Sequence, residues 1–167
     1  QLLDQQRSAD FPSRLIDHHR IVSEVALNLA KTLNSLGLNI DAQKAEIMAC
    51  VHDIGKSIAV NELSGCGSTH EHIGVAVCED FGLDSSISKI CVSHSSKTIE
   101  GLSLEEITVR LADKLWKGKR DLDFEKQVVT QFSIILGIDE WEVFSDVDQI
   151  FESVAESGHV RLESTRA

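Results

Sequence analysis

Apolar residues recur at three- and four-residue steps along most of the chain, the spacing that gives a helix one buried face. Leu15, His18, Val22, Val25, Leu29, Leu33 and Leu36 form the longest such stripe. Phe11-Pro12-Ser13 opens this helix and Gly37 closes it as a C-terminal glycine. Asp41 caps a second helix that carries Ala45, Ile47, Met48 and Val51 into His52-Asp53. A third runs from Thr69 to Phe81 and stops at Gly82. Asp84 or Ser85 starts a fourth, in which Ile87, Ile90 and Cys91 lead to His94. Ser103-Leu104-Glu105-Glu106 is a capping box, its serine oxygen and glutamate each satisfying a free backbone amide. The helix behind it carries Ile107, Leu111 and Leu115 past Asp113. Residues 123–136 and 139–156 give two further amphipathic helices, the second with Trp141, Phe144, Val147, Ile150, Phe151 and Val154.

Between these stripes, residues 56–68 have loop composition, with Gly65 and Gly67 among Asn and Ser. Residues 1–12 read as a loose leader or the end of a preceding segment, and 157–167 as a polar tail that frays. One proline, ten glycines and no tyrosine favour helices over strands. No internal repeat or break in composition divides the chain. The expectation is a single all-α domain over residues 13–156, a bundle of about seven helices.

With 167 residues, 42% of them hydrophobic, the chain can bury one sizeable core. No apolar run approaches the ~18–20 residues of a membrane span, and no basic-then-apolar signal peptide opens it. A soluble, cytoplasmic protein is therefore expected. Cys50, Cys66, Cys78 and Cys91 show no CxxC spacing. Cys50, Cys78 and Cys91 lie within apolar patterns, so they read as reduced core thiols. The formal net charge of -11 argues against a nucleic-acid partner. It would also repel a phosphorylated metabolite unless metal ions reversed the sign locally.

The chemistry centres on Ala49-Cys50-Val51-His52-Asp53-Ile54-Gly55-Lys56. An adjacent His-Asp pair offers a metal one imidazole nitrogen and two carboxylate oxygens, or serves two metals if the carboxylate bridges. It is accompanied by His18, His70, His94 and Asp113, giving the order H…HD…H…H…D. Four imidazoles with two carboxylates suit a first-row transition metal, whereas calcium prefers oxygen alone. Six ligands exceed what one tetrahedral zinc takes, and they fit two metals sharing Asp53. Singly, each has a plainer reading: a histidine on an apolar face is usually a hydrogen-bonded core residue, and Asp113 can pair with Lys117 one turn on. Their joint order makes the plain readings poor.

His19 lies about 100° round the helix from His18 and is followed four residues on by Ser23, so it reads as rim or core. His72 points away from His70 on a helix and is only a guess for a general acid. Cys66-x-x-x-His70-x-His72 lacks a fourth ligand for a zinc clip, and His159 falls in the polar tail. Lys56, Lys97, Lys114, Lys117, Lys119 and Arg120 follow the ligand segments in an otherwise acidic chain. Lys56, Lys117 and Arg120 are the candidates for binding substrate phosphate.

The segment from His18 to Arg120 resembles the HD-domain superfamily of metal-dependent phosphohydrolases. Leu15-Ile16-Asp17-His18-His19 and Val22-Ser23-Glu24-Val25-Ala26 are similar to its first-helix signature, and Val51-His52-Asp53-Ile54-Gly55-Lys56 to the His-Asp-Ile-Gly form of its defining motif. His70-x-x-x-Gly74, His94-Ser95-Ser96 and Leu111-Ala112-Asp113-Lys114-Leu115 resemble its later ligand segments. The resemblance is strongest to bacterial diadenosine tetraphosphate hydrolases and to HD domains that accompany nucleotidyltransferase-like domains. Without tyrosine the chain has no Gly-Tyr-Pro, which argues against the cyclic-di-GMP phosphodiesterase branch.

The resemblance implies an all-helical bundle with a dinuclear site in its core, most simply iron or manganese, with zinc, cobalt or nickel as alternatives. By position, His18, His52, Asp53 and Asp113 would hold one ion, and Asp53, His70 and His94 the other. A metal-activated hydroxide would cleave a phosphoester or phosphoanhydride of a nucleotide or small metabolite, with Asp53 and Lys56 as catalytic residues. A homodimer is compatible with this reading. The rival readings are an HD-fold di-iron oxygenase and a non-enzymatic HD module that binds a ligand.

Overall fold

The structure, a computed structural model, describes residues 2–65, 67–158 and 160–161. Cys66, His159 and residues 162–167 of the expected tail lie outside the described residues. Among the described residues there are nine α-helices and no strand. They are α1 (Leu2–Ser8), α2 (Ser13–Asn34), α3 (Ala42–Ala49), α4 (Thr69–Asp80), α5 (Ser85–Ser88), α6 (Ile90–Ser93), α7 (Leu104–Leu115), α8 (Leu122–Leu136) and α9 (Glu140–Glu156). Two 3-10 turns, Ile54–Ser57 and Val60–Leu63, occupy the segment whose composition suggested a plain loop. No described helix is long and apolar enough to cross a membrane.

The bundle is built around α2. Leu15, Val22, Val25, Leu29 and Leu33 on its apolar stripe are all buried. Its first half joins Met48, Val51, Ile54, Cys78, Ile90 and Cys91 in one apolar cluster beneath the metal-ligand candidates. Its second half joins Leu111, Leu115, Phe124, Phe132, Val147 and Phe151 in a second cluster under α8 and α9. The helix ends are set by short polar side chains. Asp41, Asp84, Ser103, Asp121 and Asp139 each accept a backbone N–H at the N-terminus they cap, and Ser103 and Glu106 complete the reciprocal capping box. The expected fourth helix is two short ones, α5 and α6, divided at Lys89.

The leader differs from expectation. Residues 2–8 form α1, and Gln6 is fully buried. Its Nε2 donates to the Cys50 carbonyl at 2.8 Å, and its Oε1 lies 2.9 Å from His19 Nδ1. A polar residue can be buried when both ends of its amide are satisfied, and that is why the composition of 1–12 misled. At the other end, Arg161 donates to the carbonyl oxygens of Val154 and Trp116, tying the start of the tail to α9 and α7.

Gly55, behind the His-Asp pair, is pressed against α4. A Cβ there would run into the His70 carbonyl and lie 2.6 Å from the Gly74 amide nitrogen. Gly74 faces the next layer in turn, since a Cβ on it would sit 3.0 Å from Cys91 Sγ. The turn is thereby stacked backbone on backbone against α4, and α4 rests at Gly74 on the Cys91 side chain of α6.

Candidate metal centre

Five elements converge on one point. α2 brings His18, the turn after α3 brings His52 and Asp53, α4 brings His70, the C-cap of α6 is His94, and α7 brings Asp113. Asp53 sits between two groups. Its Oδ2 is 3.4 Å from His18 Nε2 and 3.7 Å from His52 Nε2. Its Oδ1 is 3.3 Å from His70 Nε2 and 3.4 Å from His94 Nε2. Asp113 Oδ1 closes the first group at 3.5 Å from His18 Nε2 and 3.7 Å from His52 Nε2. All six metal-ligand candidates of the sequence are therefore brought together.

The imidazole orientations follow from what the opposite ring nitrogens do. His52 Nδ1 donates to the Ala49 carbonyl at 2.8 Å, and His94 Nδ1 to the Ile90 carbonyl at 3.0 Å. His70 Nδ1 donates to Glu62 Oε2 at 2.6 Å. A neutral imidazole that donates from Nδ1 presents a lone pair at Nε2, so three Nε2 lone pairs and two carboxylates face the same space. His18 and His52 bring their Nε2 atoms to 3.1 Å, which needs a proton or a cation between them. Asp53 Oδ1 and His70 Nε2 are buried without a hydrogen-bond partner. Buried acceptors in such excess fit metal ions, and nitrogen with carboxylate oxygen is a transition-metal donor set.

Two overlapping sets have the geometry to hold one ion each, His18–His52–Asp53 and Asp53–His70–His94, with each set's donor atoms within 4.8 Å of one another. Electrostatics agree with a site built for cations. Burial opposes ionisation of Asp53, but the imidazoles of His52, His18, His70 and His94 outweigh it and hold the carboxyl well below its usual range. Burial likewise opposes Asp113, and His52 and Lys117 hold it down. Burial alone would keep His52 neutral, yet the two carboxylates raise its pKa above the ordinary value. His18 moves the other way, because burial dominates.

The site opens into a cavity of about 670 Å3 whose wall includes Arg14, Leu15, Lys56, Leu63, Trp116 and Lys117. Lys56 Nζ is 2.7 Å from Asp53 Oδ2, and Lys117 Nζ is 3.6 Å from Asp113 Oδ1. Asp113 thus faces Lys117 as well as the imidazoles of His18 and His52. Arg120 is a correction. It is bound by Glu125, Asp148 and Glu152 on the α8–α9 side and does not line the cavity. The left-handed turn at Gly118 (φ 75°) redirects the chain between Lys117 and Arg120. His72 is exposed and also absent from the cavity wall, which removes it as a candidate acid.

Two residues the sequence did not single out support the ligands. Glu62 is buried, and besides His70 Nδ1 it accepts the backbone N–H groups of Thr69 and His70. Those bonds, the His70 one foremost, hold its carboxyl down to about 2. Glu62 fixes both the tautomer and the direction of His70, and a carboxylate so placed raises the basicity of the opposite ring nitrogen. Its one sequence signal is an acidic residue eight positions ahead of a histidine ligand. Trp116 is the other: its ring stands edge-on to His18, 5.3 Å away, and fixes that imidazole from the cavity side. Glu62→Gln should weaken metal binding about 10–100-fold in a competitive chelator titration while leaving the helical content unchanged. Wild-type affinity in that variant would show that Glu62 serves only the turn.

An all-α bundle whose centre joins an adjacent His-Asp pair to further histidines and an aspartate defines a class of metal-binding helical domain. Residues 15–116 match the HD domain family, so the chain belongs to that superfamily, whose members are generally metal-dependent phosphohydrolases. An uncharacterized protein of Methanocaldococcus jannaschii is 25% identical over 138 residues, covering 74% of this chain and 78% of that protein. No solved structure matches the chain. α8 and α9 lie beyond the matched segment.

Proposed function

We propose that the protein is a metal-dependent phosphohydrolase that cleaves a phosphoester or phosphoanhydride of a nucleotide or another small phosphorylated metabolite. The observation that carries this reading is Asp53, whose two oxygens address two separate sets of imidazoles. His18, His52, Asp53 and Asp113 would hold one divalent ion, and Asp53, His70 and His94 a second, with iron or manganese the best fit to the donors. When bound, such ions supply a water acidic enough to attack phosphorus at neutral pH and positive charge for the phosphate oxygens.

The chain's own groups do the rest. Lys56 and Lys117 put cations on the cavity wall, where they offset charge on non-bridging oxygens that a net charge of -11 would otherwise repel. Arg14, at the cavity wall and hydrogen-bonded to Ser64, adds a third. The cavity is within the size range of small-molecule sites, large enough for a nucleotide. Diadenosine polyphosphates and mononucleotides are therefore the first compounds to test.

Protein reconstituted anaerobically with iron or manganese should bind about two ions per chain and release phosphate or a nucleoside phosphate from such a panel. A stoichiometry of one or less overturns the dinuclear reading. No release from any phosphate compound by the loaded protein overturns the hydrolase. Lys56→Ala should lower kcat/KM about 10–100-fold with metal content intact. Loss of the ions in that variant would make Lys56 part of the metal centre instead.

A further inference from the structure

The C-terminal helices carry a second concave surface, remote from the metal centre in the residues that line it. Val129, Val147 and Phe151 form the floor of a groove of about 640 Å3 between α8 and α9. Leu122, Trp141 and Phe144 form its walls and are 70%, 74% and 42% exposed. Trp141 and Phe144 stack on each other, centroids 5.6 Å apart, so two of the chain's eight aromatic rings are held ready at the surface. Aromatic side chains packed against each other beside an apolar recess are the usual anchors of a protein interface. Nothing in the metal centre uses them.

The rim decides what fits. α9 carries Glu140, Glu142, Asp146, Asp148, Glu152 and Glu156 and no lysine or arginine. At the groove itself Asp139 and Glu140 are exposed, and Asp148 and Glu125 lie beside the floor. Arg120 offsets only part of this field, since its one charge is shared among three carboxylates, Glu125, Asp148 and Glu152. Lys126 is the other base among the lining residues. A second copy of this chain would bring the same acidic rim and another net charge of -11 against it, which disfavours self-association through this face. A lipid surface, anionic at its headgroups, is disfavoured for the same reason.

We propose that the α8–α9 groove docks an amphipathic helix of a partner protein, apolar on the face that enters and basic along both flanks. A helix lying along the groove would put side chains at i, i+3, i+4 and i+7 against Leu122, Trp141 and Phe144. Its flanking lysines or arginines would meet Asp139, Glu140 and Asp148. The groove lies outside the matched family segment, so this recognition belongs to the C-terminal extension and not to the hydrolytic centre.

Calorimetric titration of the whole chain tests it. The probe is a peptide of roughly 18 residues, long enough to form a helix, with leucine at i, i+3, i+4 and i+7 and lysine elsewhere. We expect saturable one-to-one binding that Trp141→Ala weakens about tenfold or more, with Glu140→Lys also weakening it. A peptide of the same composition with its leucines scattered around the helix should bind at least about tenfold more weakly. Both substituted positions are exposed, so the variants' melting temperature and any phosphate release should stay at wild-type values. Equal binding of the scattered peptide, or no effect of Trp141→Ala, overturns the proposal by reducing it to general charge attraction. Equal binding of a glutamate-for-lysine peptide removes the basic partner. A dimer in sedimentation that Trp141→Ala converts to monomer would make a second copy the occupant. None of these outcomes depends on whether the metal centre hydrolyses phosphate.

Discussion

Asp53→Ala should strip both metal ions from the protein and reduce turnover below about 1% of wild type. The residue is the shared member of both ligand sets, and no neighbouring carboxylate can replace it, because Asp113 reaches only His18 and His52. A second effect accompanies the first. Ions bound only by the folded state stabilise it by mass action, by about 2.7 kcal/mol for one site at one hundred times its dissociation constant. Metal-loaded wild type should therefore melt several degrees above the variant, and chelated wild type should lose most of that margin. Elemental analysis with calorimetry in the presence and absence of chelator decides it. Wild-type metal content in Asp53→Ala would remove the bridging role.

The second large effect separates His18 from His19. His18→Ala removes an Nε2 that faces both Asp53 and Asp113, so it should lose at least one ion and most activity. His19 is fully buried and neutral, with burial holding its pKa well below the ordinary value. Its Nδ1–H donates to Gln6 Oε1, and its ring stands 5.7 Å from that of His52. His19→Ala should keep both ions at saturating metal but cost about 2–4 kcal/mol, since it opens a core cavity and leaves the Gln6 oxygen unsatisfied. Metal content separates the two single variants on this account: His18→Ala loses it, whereas His19→Ala keeps it and melts lower even with metal saturating. Loss of metal from His19→Ala with retention in His18→Ala would refute it.

Much of this was legible along the chain, and for definite reasons. The stripe from Leu15 to Leu33 keeps helical spacing without interruption, so α2 and the direction of His18 follow from periodicity. Ser103 and Glu106 state the start of α7 by themselves. The order of the candidate ligands was readable because each adjoins an apolar run, and the runs fix which face each residue shares. Where the reading failed, polar residues were satisfied by partners distant in sequence or hidden from a composition count. Gln6 is buried because Cys50, 44 residues away, accepts from it. Ser23 suggested a polar flank beside His19, yet its hydroxyl is bonded to the Arg20 carbonyl and the residue is buried. Arg120 follows Lys117 closely in sequence, but one glycine turn carries it to the far side of α7's end. Glu62 lay in a segment with no periodicity to interpret.

The backbone stack at Gly55 and Gly74 acts as a spacer gauge of nearly zero thickness. Asp53 is attached to one plate of that stack and His70 to the next, so the distance between them is set by how closely their main chains approach. The Cys91 side chain sets the step from α4 to α6, which carries His94. His18 and Asp113 hang from α2 and α7 and do not pass through this stack. A methyl group at position 55 is therefore a wedge with a direction: it pries α4 from the turn and lengthens the Asp53–His70 reach, while the His18–Asp53–Asp113 side keeps its span. The glycine of the His-Asp-Ile-Gly sequence thus sets the reach from Asp53 to His70, and a substitution there loads that side of the centre first without altering any candidate ligand.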